Sequence, residues 1–243
     1  MQKETILGTN VCVTTKNELL LAIQDDIQQG RKTFIVAINP EKILKARKDP
    51  ALADLLNSAE YQIADGIGVV IASRLQKGHI RERVTGIDCM GSLCDLSARR
   101  GYRIFLYGAK KDVILKARNE LELMYPGIHI VDIMDGYCNN NDVLIERINK
   151  SCVDIVFVAL GSPKQENWII QNRDVLCAKV FQGVGGSFDV ISGTLKRAPL
   201  WMQKSGLEWL FRLLQQPERI FRQLNILKFL FLLIKDGKRN NEN

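Results

Sequence analysis

The sequence predicts an α/β protein: a Rossmann-like, doubly wound, mainly parallel sheet flanked by helices, with a C-terminal helical appendage that associates with a membrane. Three observations carry this expectation. Short apolar runs rich in β-branched residues, such as Val153 to Leu160 and Ala178 to Gly185, end in glycine and polar residues, as buried strands feeding loops do. Stretches with helical spacing lie between such runs, and strand, helix, strand is the right-handed parallel crossover. After Asp189 the alternation stops, and the remainder of the chain is helical and basic.

Composition sets the scale. A chain of 243 residues with 46% hydrophobic content buries a sizeable core. It is expected to divide into an α/β core over residues 1–195 and an appendage over residues 196–243. The formal charge of +7 is uneven: from Lys196 onward ten basic residues face four acidic ones, a surplus of six. Met1 to Thr15 carries polar and acidic groups without a continuous apolar core, so no signal peptide is expected and the protein is placed on the cytosolic side. Six cysteines lack CxxC pairing, and only two histidines could join them, so neither a zinc site nor a disulfide framework is expected.

Taken in order, Leu19 to Gln29 reads as an amphipathic helix closed by Gly30, and Thr33 to Ile38 as a buried strand. Asn39-Pro40 breaks the chain before a helix from Glu41 to Arg47. Asn39 therefore either caps that helix or binds substrate at a strand end. Ala51 to Ala59 is helical, Tyr61 to Ala64 a brief strand, and Val69 to Leu75 an apolar helix. The turn Asp65-Gly66-Ile67-Gly68 puts a carboxylate before two glycines, which suits a ligand close to the backbone or an N-cap. Arg83 precedes the turn Val84 to Asp88, where it clamps a phosphate or ends a solvated loop. Helices are expected over Met90 to Arg99, Asp112 to Met124 and Asp142 to Asn149, with strands over Tyr102 to Tyr107 and Ile128 to Ile133. Gln165 to Leu176 is the helix between the two runs quoted first.

Ligands in such sheets bind beyond the carboxyl ends of the strands, so the loops Gly161 to Glu166 and Gly183 to Asp189 should share one rim. Trp201 to Leu214 is expected as one helix, and Pro217 to start another reaching Lys235. Within the latter, Ile226 to Ile234 has eight apolar residues and one lysine. That is short of the about 20 residues a bilayer span needs, so the segment should lie on a membrane or dock on the core.

Several motifs occur in a fixed order: Asp65-Gly-x-Gly, Arg83-x-x-Gly-x-Asp, Gly161-x-Pro-Lys-Gln-Glu, Gly183-x-Gly-Gly-x-Phe-Asp, Arg197-Ala-Pro, and Glu208-Trp-x-x-Arg-Leu with Pro217-x-Arg-x-x-Arg. Together they resemble the WecG/TagA/CpsF glycosyltransferases over about Thr33 to Arg222, and within them the branch that transfers N-acetylmannosamine in wall teichoic acid synthesis. The resemblance implies an inverting enzyme that moves a sugar from a UDP-sugar donor to undecaprenyl-diphosphate-linked N-acetylglucosamine on the cytosolic membrane face, with no cofactor and no metal.

It also implies roles. Asp65 would take the acceptor hydroxyl's proton. Arg83 and the glycines Gly183, Gly185 and Gly186 would meet the charge on the leaving diphosphate. Asn39 and Gln165 would hold sugar hydroxyl or acetamido groups, and Asp189 the ribose or uracil. Arg212, Arg219 and Arg222 would hold the acceptor's lipid diphosphate. Ala37 departs from the family, which often carries Thr two residues before the asparagine; donor identity is the property this leaves open.

Other readings predict different residues. A dinucleotide oxidoreductase needs GxGxxG after the first strand, where the chain has TFIVAINPEK. A capsule or exopolysaccharide transferase would use another UDP-sugar. A non-catalytic, membrane-tethered nucleotide-sugar-binding module would use Asp65 only as a cap. Nucleic acid is not an expected partner, because the tail's charges interleave with a greasy run instead of stacking aromatics. The apolar tail also suits a homo-oligomer.

Overall fold

The computed structural model describes residues 1–138, 140–215, 228, 229, 231–233 and 235, apart from the side chains of Lys204 and Arg212. The chain opens with a hairpin, β1 (Lys3–Ile6) and β2 (Thr9–Cys12), paired antiparallel. Its two-residue turn holds Leu7 and Gly8 at positive φ, 48° and 88°. Leucine is an unusual turn former, so the sequence carries little signal for this element.

The remaining elements alternate as expected. They are α1 (Lys16–Gln28), β3 (Thr33–Ile38), α2 (Pro40–Ala46), α3 (Pro50–Asn57), β4 (Tyr61–Ala64), α4 (Ile67–Leu75), α5 (Gly86–Arg100), β5 (Arg103–Gly108) and α6 (Lys111–Met124). There follow β6 (His129–Met134), α7 (Asn141–Lys150), β7 (Ile155–Ala159), α8 (Lys164–Asn172), β8 (Val180–Gly183), α9 (Ser187–Ile191), α10 (Leu200–Lys204) and α11 (Glu208–Gln215). Local chemistry sets several starts. Thr15 and Glu18 form a capping box for α1, and Pro40 and Pro50 occupy the first turns of α2 and α3 behind caps from Asn39 and Asp49.

Three boundaries correct the sequence reading. The turn expected over Val84 to Asp88 is already α5 from Gly86, because the Thr85 side chain caps it at Asp88 N. The single helix expected from Trp201 to Leu214 is two, broken where Gly206 takes φ 73°. The loop expected over Gly183 to Asp189 contains α9, so Asp189 sits in a helix.

Six strands form one sheet in the order β4-β3-β8-β7-β5-β6, and every neighbouring pair is parallel. Successive side chains of a strand point to opposite faces, so both faces bury apolar residues. Phe34, Val36, Ile38, Val156, Val158 and Phe181 join one core, which α2, α3, α4, α7 and α8 cover. Ile35, Ala37, Ile155, Phe157 and Val180 join the other, beneath α1, α5, α6 and α9. Helices on both faces make the sheet doubly wound.

The C-terminal segment packs on this core. Ala198 and Met202 are buried, and a Cβ on Gly206 would meet Ile67 at 2.9 Å. Lys228, Phe229, residues 231–233 and Lys235 are helical. Phe229 and Leu233 are buried in the first core, whereas Phe231 is exposed. The described residues of the apolar run are thus split between docking and exposure. No helix among the described residues is long and apolar enough to cross a membrane. The six cysteines are unpaired thiols, and burial pushes Cys89 up to about 12, as suits an inert core group.

Candidate functional site

Parallel strands place all their carboxyl ends at one edge, where ligands of such sheets collect. The chain leaves β3 and β7 for helices on one face, and leaves β8 for α9 on the other. The loops after β4, β3, β8 and β7 are neighbours there, and they carry Asp65, Asn39, Gly185 and Gln165.

Asp65 continues the parallel ladder: its N–H donates to the Ile38 carbonyl at 2.8 Å, while Val84 N–H donates to the Ala64 carbonyl at 3.0 Å. Asn39 and Asp65 therefore follow the paired residues Ile38 and Ala64 at the sheet's edge, and Arg83 enters beside them. The capping alternative for Asp65 fails. Gly66, at φ 104°, is the N-cap of α4, and no side chain caps that helix. Asp65 is a partly exposed carboxylate at a strand end, with partners of its own but no capping duty to compete with chemistry.

Asn39 does cap α2, its Oδ1 accepting from Lys42 N at 3.0 Å. Capping uses the oxygen and leaves the amide NH₂ as the end suited to a substrate acceptor. The second glycine of the Asp65 motif has a packing reason: a Cβ on Gly68 would lie 2.7 Å from Pro40 Cγ. Gly68 lets α4 approach α2, and the expectation that it makes room for a ligand is corrected.

The glycine loop also departs from expectation. Gly185, at φ 53°, gives its N–H to Gln165 Oε1 at 3.0 Å, so that amide is engaged within the protein. A Cβ on Gly183 would lie 2.6 Å from Gln165 Nε2, so Gly183 exists to admit that side chain. Gln165 itself is only 2% exposed and hydrogen bonded at both ends of its amide, with Nε2 donating to Glu166 Oε1 at 3.1 Å. It lies under the rim, with both ends of its amide engaged within the protein. Gly186 precedes α9, and Asp189 lies within it.

Arg83 belongs to a cluster that no local sequence pattern announces. Its Nη1 donates to Glu208 Oε2 at 3.3 Å, and Glu208 Oε1 lies 3.8 Å from Arg197 Nε. Arg197 Nη2 donates to Asp88 Oδ1 at 2.6 Å, and the Thr85 hydroxyl donates to Asp88 Oδ2 at 2.6 Å. Burial would raise the Asp88 carboxyl, but Thr85 and Arg197 outweigh it and hold Asp88 below the usual range. Three sequence motifs thereby meet, and α11 is tied to the rim. The signal is present in the ordered motifs, but nothing local says that they pair. The backbone of Arg212 lies in α11. Arg219 and Arg222 lie outside the described residues.

A carboxylate and an amide at neighbouring strand ends, with a guanidinium entering beside them, are groups able to take a proton and to meet an anion. The chain belongs to the glycosyltransferase family described as WecG/TagA/CpsF, whose model matches residues 4–243. Two relatives are similar over most of their length. Both are called N-acetylglucosaminyldiphosphoundecaprenol N-acetyl-beta-D-mannosaminyltransferase. The one from Bacillus subtilis (strain 168) is 41% identical over 212 residues, 87% of this chain and 83% of the relative. The one from Bacillus spizizenii (strain ATCC 23059 / NRRL B-14472 / W23) is 39% identical over 209 residues, 86% of this chain and 81% of the relative.

Proposed function

We propose that this glycosyltransferase moves N-acetylmannosamine from UDP-ManNAc to the 4-hydroxyl of undecaprenyl-diphosphate-linked N-acetylglucosamine; the names of both relatives support the N-acetylmannosaminyl group and the diphosphoundecaprenol-linked acceptor. The observation that carries the reading is Asp65, at the sheet's edge beside Asn39 and the entry of Arg83, with the cap of α4 left to Gly66. The acceptor hydroxyl attacks the anomeric carbon from the face opposite the nucleotide and gives its proton to Asp65 as the bond to the diphosphate breaks. UDP leaves with the bonding electron pair, and inversion follows from single displacement. Desolvation by the bound acceptor raises the Asp65 carboxyl toward a useful basicity.

Arg83 meets the charge that develops on the diphosphate; the reading requires no metal or other cofactor. Because Glu208 holds Arg83 before substrate arrives, the guanidinium exchanges one anion for another as the nucleotide binds. Asn39 holds a sugar substituent through its amide NH₂. The Gly185 turn and Asp189 flank the nucleotide. Arg212, Arg219 and Arg222 engage the lipid diphosphate of the acceptor.

The enzyme works at the inner face of the cell membrane as a peripheral protein. Leu200, Trp201, Leu214 and Phe231 are all exposed on the basic C-terminal segment, a combination that suits an interface of apolar tails and anionic headgroups. The deciding experiment offers a panel of UDP-sugars with a short-chain lipid-diphosphate N-acetylglucosamine and reads the disaccharide by mass and linkage. UDP-ManNAc should be used preferentially. Preference for another UDP-sugar would move the enzyme to a different surface polysaccharide, an outcome that Ala37 makes worth including.

A further inference from the structure

The helices α2 and α8 flank β8 on one face of the sheet, and a buried ion pair joins them across it. Lys42 Nζ lies 2.7 Å from Glu166 Oε1, with the lysine side chain 11% exposed and the glutamate wholly buried. The same oxygen accepts from Gln165 Nε2, and Gln165 Oε1 in turn accepts from the Gly185 N–H. Four groups from two helices and one turn therefore form one chain, Lys42 to Glu166 to Gln165 to Gly185, after β8.

The polarity of this chain is fixed at its buried end. A carboxylate paired with an ammonium only accepts, so it must face the NH₂ end of the Gln165 amide. The carbonyl end is then turned to the backbone N–H of Gly185, which only donates. The turn needs such a hold, because Gly185 sits at φ 53° next to Gly186 and two adjacent glycines have the widest backbone freedom. Among the described residues Glu166 Oε2 is buried with no hydrogen-bond partner. A buried acceptor left open is costly, so a site kept for stability alone would favour an apolar pair.

We propose that Glu166, paired with Lys42, is a positioning residue for transfer: it sets the Gln165 amide and through it holds the Gly185 turn in the shape that receives the nucleotide of the donor. This rests on the reading of the β8 rim as the donor side of the site. Neither Glu166 nor Lys42 touches substrate, and both act through Gln165.

The isosteric variant Glu166→Gln tests this, because a second amide can donate as well as accept and no longer dictates which way Gln165 faces. Exchange of the Gly185 amide, followed residue by residue by NMR, should speed up about tenfold, the size of one lost hydrogen bond. The KM for the UDP-sugar should rise about tenfold or more, while the KM for the lipid acceptor stays within about twofold. The double variant Lys42→Met/Glu166→Leu removes both charges together, so it keeps the interior free of an unpaired ion, and it should show the same pair of changes. If either variant folds and keeps Gly185 exchange and both KM values within about twofold of the parent, the proposal is wrong. An unprotected Gly185 amide in the parent protein would overturn it without any variant. That exchange measurement uses no substrate, so it still decides the point if the parent transfers no N-acetylmannosamine and the functional reading fails.

Discussion

Two charged assemblies flank the rim and differ in how they meet water. Lys42 and Glu166 form a single short pair with one member fully buried. Arg83, Glu208, Arg197 and Asp88 form a longer chain whose side chains are 10–37% exposed, with contacts from 2.6 to 3.8 Å. In the first, low polarity strengthens attraction but makes any unpaired charge expensive. In the second, solvent reaches Arg83, Arg197 and Asp88 and softens their contacts, while Glu208 at the centre is as covered as Lys42. The lesson is a division of labour: the buried pair suits holding a shape, and the half-exposed cluster suits receiving an anion.

The largest effect should fall at Asp65, at the strand end next to Asn39. Asp65→Asn keeps size and removes the base, so turnover on a short-chain lipid acceptor should fall by about 10² to 10⁴-fold while UDP still binds by calorimetry. Retained turnover would remove the base assignment and leave a binding module.

Next comes the buried pair. Lys42→Met alone strands the Glu166 carboxylate, and denaturant unfolding should show a loss of about 3–5 kcal/mol. If the single variant is as stable as the parent, Glu166 is not the buried anion its surroundings imply. Glu208→Gln removes the charge at the covered centre of the cluster but keeps its packing and hydrogen-bonding capacity, and should cost about 1–2 kcal/mol, less at high salt. A loss equal to that of Lys42→Met would abolish the contrast between the two regions.

The smallest effect is in the acid limb. Burial would raise Glu166, but Lys42 outweighs it and the carboxyl is held below its ordinary value; Asp88 is lowered as well. A depressed carboxyl contributes stability that is fully present above its unfolded pKa of about 4 and is lost as pH falls through the folded value. Thermal melts should therefore be flat through neutral pH and decline below about pH 4. The double variant Lys42→Met/Glu166→Leu should decline less steeply, since one of the two groups is gone.

Much of the fold is legible in the order of the residues. Apolar runs of four to six residues in alternation with helical periods mark the sheet and its helices, because burial on both faces leaves a continuous apolar signature. The elements that escape this reading are those whose cause is not local. The β1–β2 hairpin turns on a leucine, and α9 is only five residues long. The break at Gly206 follows from its close approach to Ile67. Of the site, Asp65, Asn39 and Arg83 stand out at strand ends, where the topology makes ligands collect. Gln165 and Gly183 stand out as motif residues, but their packing against each other does not, because a sequence does not say which side of a rim a polar side chain takes.

The order of strands and helices, the basic C-terminal charge and the candidate acid followed from the sequence alone, since periodicity, composition and turn chemistry are properties of neighbouring residues. Tertiary structure decided which of those residues meet. It left the α4 cap to Gly66 instead of Asp65, drew Glu208 to Arg83 over 125 positions, and put Glu166 beneath the Gly185 turn. Such pairings depend on packing and on the exclusion of water between distant segments, and both exist only after the chain has folded.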